Sequence, residues 1–176
     1  MVKDTEKIVL TGLFLAIGII LPPIFHSVEL GNVISPMHFP VILCGLLLGW
    51  QYGLICGLLT PFVGFITWGR PPIMPIGLTM SLELATYGLL AGFIYKKVRL
   101  FTNNIYNLYF ALIIAMVAGR IVYGAVNWVL FLLDLSKTDF RAFLTSVFVI
   151  GLPGIILQIL ILPVIVMTIE KRNEKD

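Results

Sequence analysis

The chain has 176 residues, of which 59% are hydrophobic and only 12% are charged. This composition excludes a soluble domain, because the surface of a soluble domain needs many more polar side chains to stay dispersed in water. The formal net charge is +3, but the basic residues stand at the ends of apolar segments rather than in one patch. That placement is typical of a membrane protein and not of a nucleic-acid-binding protein.

The first apolar run, residues 8–21, follows Lys3 and Lys7 and could be mistaken for a secretory signal peptide. Pro22 and Pro23 come next, however, and no small-residue cleavage site follows them. About 20 apolar residues in a helix cross the hydrocarbon of a bilayer. The sequence therefore predicts a retained first transmembrane helix.

The second apolar region, residues 37–66, is too long for one crossing and carries a polar interruption at 49–53. If it forms one helix, the chain crosses five times and the basic cluster at 96–99 lies outside. If it forms two helices hinged at Gln51, the chain crosses six times and all three basic clusters lie in the cytoplasm. Basic loops stay in the cytoplasm, so the charge distribution favours six crossings.

The sequence thus predicts an all-α integral membrane protein, a compact bundle of six transmembrane helices forming a single domain over residues 1–176. Both termini are expected in the cytoplasm. The outer connections carry prolines, aromatic residues and polar groups, so the functional face is expected to point outward. The predicted spans are residues 8–25, 38–50, 52–67, 76–96, 106–133 and 144–169.

Small residues recur at a spacing of four in several spans. In lipid, helices associate largely through close packing, and small residues one turn apart let two backbones approach. We expect internal packing for the second, third and fourth spans, whereas for the first helix packing inside the chain and contact with a partner both stay open. The residues concerned are Gly45, Gly49, Gly53, Gly57, Gly88 and Gly92, and on the first helix Gly12 and Ala16.

Two charged residues, Glu83 and Arg120, lie within predicted spans, where a charge costs ~3 kcal/mol or more unless it faces a cavity or a partner. Counting from the outer helix ends places Glu83 about 10 Å deep and Arg120 about 20 Å deep. They can form an ion pair, with nearby amides as interhelical hydrogen-bonding groups. They can also line a polar, aromatic pocket for a small ligand, open to the outside, and both interpretations can hold together. The further polar or aromatic residues on the same three helices are Tyr87, Tyr123, Asn127 and Gln158.

The connection at 68–75 contains three prolines that stiffen it, and Trp68 suits the membrane interface. This connection can be no more than an anchored turn, or it can be a lid over the pocket with Arg70 facing the ligand. His38 is expected to border the mouth. Two separated histidines are too few for a metal site, and motifs for nucleotide hydrolysis or for catalysis are missing. The sequence therefore predicts no metal, no cofactor and no catalytic residue.

Short motifs follow one another in a fairly specific order and spacing. They are Gly12-Leu-Phe-Leu-Ala16, Pro36-Met-His-Phe-Pro40, Gly45-Leu-Leu-Leu-Gly49, Arg70-Pro-Pro-Ile-Met-Pro75, Glu83-Leu-Ala-Thr-Tyr87-Gly88, Ala118-Gly-Arg120, and Gly151-Leu-Pro-Gly154 with Gln158. In these motifs, in size and in the number of spans, the chain resembles the substrate-binding S components of energy-coupling factor (ECF) vitamin transporters over nearly its whole length.

The resemblance implies that the protein binds a vitamin or vitamin precursor at the outer face of a bacterial or archaeal plasma membrane. A separate transmembrane T component and two cytoplasmic ATPases would then drive uptake. Gly12 and Ala16 occupy the places of the family's AxxxA-type pair that contacts the T component, with glycine in place of the first alanine. The family's pocket is lined by the helices that carry Glu83, Arg120, Asn127 and Gln158.

The substrate is not readable from the resemblance, because family members for riboflavin, folate, pantothenate, pyridoxine and cobalamin precursors share the scaffold. A buried arginine favours a ligand with a carboxylate, a phosphate or several hydroxyls. Two other classes stay open. A stand-alone membrane carrier or channel would transport without ATPases, although the two halves show no convincing inverted repeat. A membrane enzyme would need a nucleophile or a metal site.

Overall fold

The computed structural model describes residues 4–27, 35–98, 101–134 and 151–173. This part of the chain consists of helices and short connections, with no strand in it. Two wider helical turns, Ile73–Gly77 and Ile94–Val98, lie directly before and after the fourth helix. The helices are α1 Asp4–Ser27, α2 His38–Leu48, α3 Trp50–Trp68, α4 Leu78–Phe93, α5 Asn104–Leu132 and α6 Gly151–Asn173.

Five helical segments in the described ranges are long and apolar enough to cross a membrane. The prediction of an all-α membrane protein is confirmed at this level. The remaining helix, α2, is also apolar but has only 11 residues, or about 16 Å of length. Residues 144–150 of the predicted sixth span lie outside the described residues. The five segments are Asp4–Phe25, Trp50–Trp68, Ile73–Val98, Asn104–Leu132 and Leu152–Arg172.

The second apolar region breaks at Gly49, so the hinge predicted at Gln51 is wrong by two residues. Gly49 has φ 117° and ψ 165°, a conformation that is essentially restricted to glycine, and this restriction determines where α2 ends. In a continuous helix Gly45 and Gly53 would be about 12 Å apart. A methyl group built on Gly53 would instead lie 2.6 Å from the Cα of Gly45. The chain therefore turns back, and α2 and α3 form a helical hairpin.

Helices α2, α3 and α4 pack backbone to backbone through glycines. A methyl group on Gly45 or Gly53 would collide with the carbonyl of Gly88, and one on Gly57 would lie 2.5 Å from the Leu84 carbonyl oxygen. The predicted internal packing is confirmed for these residues. Gly49 differs, because a methyl group there would meet no atom of the described residues within 4 Å. We call the packed set the glycine seam: Gly45, Gly53, Gly57, Gly88 and Gly92.

Helix α4 lies at the centre of the described bundle, in contact with α2, α3 and α5. Helix α1 packs against α2 and α3, and α6 packs against α2 and α5. A polar residue on α4 therefore faces protein on several sides. The fully buried apolar side chains of the core include Val41, Ile42, Leu46, Leu84, Leu108, Leu112, Leu162 and Val166.

Polar contacts join several helix ends at one end of the bundle. The Tyr95 hydroxyl donates to Glu170 Oε2 at 2.6 Å and so connects the end of α4 to the end of α6. Lys96 Nζ donates to the carbonyl of Leu47, close to the turn between α2 and α3. We call this end of the bundle the basic end. Its described basic residues are Lys7, Lys96, Lys97, Lys171 and Arg172.

Helices α1 and α5 begin at the basic end. Lys7 Nζ lies 5.8 Å from the centroid of the Tyr52 ring, which places the start of α1 beside the start of α3. The first turn of α5 contains the buried Asn107, whose Oδ1 accepts from the Phe101 amide at 2.8 Å and whose Nδ2 donates to the Phe101 carbonyl. α5 also packs against the turn Ile94–Val98.

Candidate functional site

Four polar side chains from three helices meet at Glu83. Tyr87, one turn further along α4, donates its hydroxyl to Glu83 Oε1 at 2.7 Å. Arg120 on α5 places Nη1 3.2 Å from the same oxygen. His38 at the start of α2 places Nε2 3.9 Å from Glu83 Oε2. We call His38, Glu83, Tyr87 and Arg120 the Glu83 cluster.

The local sequence explains how these side chains are brought together. Glu83 and Tyr87 are four residues apart on α4, so they project from the same face. His38 is the first residue of α2, and its amide donates to the Ser35 carbonyl at 3.1 Å. Gly119, next to Arg120, packs directly on the Tyr87 ring, and a methyl group there would collide with it. Gly119 therefore lets α5 approach α4 at the level of the cluster.

The ion pair between Glu83 and Arg120 is present, and it is largely buried. The Glu83 side chain is 3% accessible and that of Arg120 is 18% accessible. The predicted difference of about 10 Å in depth is wrong for their charged groups. The depth estimate counted residues from the outer helix ends. It assumed that the outer ends of α4 and α5 lie at the same depth, and it ignored the length of an arginine side chain. Gly119 lies beside Tyr87. On the side away from the basic end, α5 therefore extends further past the level of Tyr87 than α4 does.

Three nitrogens of the cluster have no hydrogen-bond partner among the described residues: Nδ1 and Nε2 of His38 and Nε of Arg120. His38 is 5% exposed, so it is not at the mouth, where the sequence led us to expect it. Its ring centroid lies 5.3 Å from that of Tyr87. A buried polar group without a partner costs about 1–3 kcal/mol. The cluster therefore holds hydrogen-bonding capacity that the described protein does not use.

Gln158 on α6 lies at about the level of Glu83. The hydrogen bond between Tyr95 and Glu170 fixes α6 relative to α4 at the basic end. Glu83 precedes Tyr95 by 12 residues, and Gln158 precedes Glu170 by 12 residues. Both are therefore about 18 Å from that bond along their helices. Gln158 is 2% exposed, so its amide is buried at this level.

The other predicted site residues are not in the Glu83 cluster. Asn127 donates Nδ2 to the Tyr123 carbonyl of its own helix at 2.9 Å, and both residues are half-buried. Trp68 ends α3 and is 57% exposed, and Arg70 follows it and is also exposed. A lid role for their connection stays a prediction. In the described ranges, no three His, Cys, Asp or Glu side chains are grouped so as to hold a metal ion.

The predicted docking pair on α1 differs from the glycine seam. A methyl group on Gly12 would meet no described atom within 4 Å, and Gly12 is exposed, whereas Ala16 is half-buried. The sequence reasoning missed Gly18, where a methyl group would lie 3.0 Å from Thr60 Cγ2. It quoted Gly119 only within the motif Ala118-Gly-Arg120 and missed its packing role, although a glycine directly before a charged residue in a span was a usable signal. The inner face of α1 thus packs through Gly18, whereas Gly12 has open space beside it among the described residues.

The family model described as "ECF transporter, substrate-specific component" matches residues 6–166. The matched range includes the whole Glu83 cluster, the glycine seam and the pair Gly12 and Ala16. Comparison with curated proteins and comparison with solved structures each find no match.

Proposed function

Because this chain belongs to the family of ECF transporter substrate-specific components, we propose that it captures a vitamin or vitamin precursor for ATP-driven uptake. The resemblance in the sequence motifs is confirmed by this membership. Members of the family are multi-pass membrane subunits that bind a small-molecule substrate, associate with a T component and ATPases, and are transport subunits rather than enzymes. Our proposal adds the vitamin class, two cytoplasmic ATPases, and the plasma membrane of a bacterial or archaeal cell.

The proposed topology is six crossings in one domain, residues 1–176, with both termini in the cytoplasm. Two observations support it. The α2–α3 hairpin makes α2 and α3 separate segments of opposite direction. Apart from Arg70 after α3 and Arg120 within α5, the described lysines and arginines gather at the basic end, which the positive-inside rule assigns to the cytoplasm.

Single cysteines at exposed positions test this topology. Thr5→Cys and Thr102→Cys at the basic end should stay unlabelled by an impermeant thiol reagent added to intact cells, and Asp134→Cys should react. The parent chain is the control, since Cys44 and Cys56 are buried. Equal labelling at Thr102 and Asp134, the two sides of α5, would contradict the topology.

We propose the Glu83 cluster as the floor of the substrate site. The observation that carries this proposal is the unused hydrogen-bonding capacity of His38 and Arg120 beside a buried carboxylate. Charged residues at membrane depth commonly mark a substrate path, which agrees with this position. The residues proposed to line the site are His38, Glu83, Tyr87, Arg120, Tyr123, Asn127 and Gln158, with Trp68 and Arg70 nearer the mouth.

A paired substitution tests the site without creating a lone buried charge. Arg120→Ala would leave Glu83 unpaired and destabilise the fold by about 3–5 kcal/mol. Glu83→Gln with Arg120→Gln removes both charges at similar volume. This double variant should fold and bind riboflavin, folate, pantothenate or pyridoxine, whichever the parent chain binds, about tenfold to a hundredfold more weakly. Glu170→Gln, at the basic end, is the control. Unchanged affinity in a folded double variant would refute the site.

Transport by the chain alone separates this proposal from its alternative, a stand-alone carrier or channel. Reconstituted in vesicles without other proteins, the chain should bind its vitamin but not accumulate it. Addition of a T component and ATPases with ATP should start uptake. Accumulation by the single chain would favour the carrier.

A further inference from the structure

The Glu83 cluster contains groups that are already paired and groups that are not. Glu83 Oε1 accepts from the Tyr87 hydroxyl at 2.7 Å and faces Arg120 Nη1 at 3.2 Å. Arg120 approaches this oxygen with one terminal nitrogen, while its Nε, buried, has no partner in the described structure. Neither ring nitrogen of His38 makes a hydrogen bond within the described residues, and Nε2 lies 3.9 Å from Glu83 Oε2, beyond hydrogen-bonding distance. The free capacity therefore belongs to His38 and Arg120, not to Glu83 Oε1 or the Tyr87 hydroxyl.

The chemistry of these free groups defines what can satisfy them. The Nε–H of arginine is always a donor, and a histidine ring carries at least one N–H whichever tautomer it adopts. At least two donors thus make no hydrogen bond within the described residues. An ammonium group would bring only further donors and would lie next to a guanidinium of the same charge. An oxygen-bearing group supplies the missing acceptors.

One small group can reach both residues. His38 Nε2 and Arg120 Nη1 approach different oxygens of the single Glu83 carboxylate, at 3.9 Å and 3.2 Å. The rings of His38 and Tyr87 are in contact, with centroids 5.3 Å apart, and this contact holds the imidazole beside Glu83. The two residues are therefore close enough to bind one planar group with two acceptor positions.

We propose that a carboxylate or neutral carbonyl group of the substrate accepts hydrogen bonds from His38 and from Arg120 Nε. In this arrangement Glu83 and Tyr87 are positioning residues, which hold Arg120 in place without contacting the substrate. The inference rests on the proposed function, because it requires the Glu83 cluster to be the substrate site. Its new content is the class of the ligand group and the division of roles within the cluster.

Nitrogen NMR of the full chain tests the contact with His38. The sequence contains two histidines, so His26→Gln leaves His38 as the source of every ring ¹⁵N signal in histidine-labelled protein. Riboflavin, folate and pantothenate, which all carry a carbonyl or carboxylate group, are added one at a time, together with any small molecule that purified protein releases on denaturation. Pyridoxine, which carries neither group, is added for comparison, and its binding would overturn the inference while the proposed function stands. A compound that binds by calorimetry should shift the His38 signals. Binding that leaves both ring signals unmoved would overturn the inference while the proposed function stands.

Substitutions test the role of each residue with the same bound compound. His38→Phe should lower affinity about tenfold to a hundredfold, and His38→Gln, which keeps an N–H donor, should recover part of the loss. Arg120→Lys keeps a positive charge beside Glu83, so no lone buried carboxylate is created, but it removes the Nε–H and should lower affinity over the same range. Glu83→Gln should lower affinity severalfold in the parent chain and have no further effect in Arg120→Lys, because a positioning residue acts through its partner. An equal loss in both backgrounds would mean that Glu83 contacts the substrate.

Matched analogues separate the two sources of the acceptor. If pantothenate binds, pantothenol, which replaces the carboxylate by a hydroxymethyl group, identifies whether the carboxylate is the group held. Loss of the His38 shift with pantothenol assigns the carboxylate, and an unchanged shift assigns the amide carbonyl. If no vitamin binds and no small molecule is released, the proposed function itself fails, and this inference fails with it.

Discussion

The same small-residue spacing is used in opposite ways by α1 and by the glycine seam. In the seam, a methyl group on Gly53 would lie 2.5 Å from the Gly88 carbonyl oxygen, so two helix backbones already touch. On α1, a methyl group on Gly12 would meet no described atom within 4 Å. Four-residue spacing of small residues thus predicts that a helix can be approached closely, but it does not predict which helix approaches. Gly12 is exposed and Ala16 is half-buried, so contact of this pair with another protein stays a prediction.

The largest expected effect comes from placing a large side chain in each of the two regions. Gly53→Leu should prevent the packing of α3 on α4, because the three atoms nearest to the position are backbone atoms of Gly88 and Gly45, which cannot move aside. Gly12→Leu should fold normally. Size-exclusion profiles and thermal unfolding in detergent measure both. A folded, stable Gly53→Leu protein would contradict the close backbone packing assigned to the glycine seam.

The second prediction concerns the partner of the exposed pair. Gly12→Leu with Ala16→Leu should abolish vitamin uptake by the complete transporter, because larger side chains block close approach of the T component. Vitamin binding by the isolated chain should survive. Ile20→Leu, at another exposed position of α1, is the control. Loss of binding as well would mean that the pair packs internally.

An intermediate effect is expected at Gly49, where the cost is conformational and not steric. With φ 117° and ψ 165°, this residue adopts a backbone conformation that costs a residue with a Cβ atom about 1–3 kcal/mol. Gly49→Ala should therefore lower the free energy of unfolding by that amount, although the new methyl group has open space. Gly12→Ala is the matched control and should show no loss. Equal stability of both variants would contradict the assigned turn.

The smallest effect is expected where α1 does pack internally. Gly18→Ala would place a methyl group 3.0 Å from Thr60 Cγ2, the tip of a side chain. Crowding of a packed site costs about 1–3 kcal/mol, and alanine in place of glycine inside a helix returns about 0.5–1 kcal/mol, so we expect a small net loss of stability. Thr60→Ser removes that tip and keeps the hydroxyl that donates to the Cys56 carbonyl at 2.6 Å. Adding Thr60→Ser to Gly18→Ala should restore stability. A loss of stability as large as that expected for Gly49→Ala would mean that α1 packs as tightly at Gly18 as the other helices do at their glycines.

Much of the fold could be predicted because it depends on composition and spacing. Long apolar runs define the helices, and the spacing of Gly45, Gly53 and Gly88 indicated close packing before any contact was known. The hinge could not be placed correctly, because glycines stand at both 49 and 53 and the sequence does not show which one takes the positive φ.

The candidate site was less predictable, because its geometry depends on side-chain reach and on the offset between helices. The sequence indicated that Glu83 and Arg120 lie in the membrane, and the ion pair was one of two stated interpretations. Residue counting could not reveal that Gly119 brings α5 against Tyr87, or that His38 lies beside Glu83 instead of at the mouth. Ligand contacts of these residues stay a prediction.

The shortness of α2 has a consequence for translocation. This helix begins at His38, in the proposed substrate site, and ends at Leu48, beside the turn at the basic end. Its length of about 16 Å is roughly half of the ~30 Å of hydrocarbon in a bilayer. If the bilayer surface lies at the basic end, a substrate bound at His38 as proposed would lie near the middle of the permeability barrier. The release path toward the basic end needs to be no longer than three turns of helix.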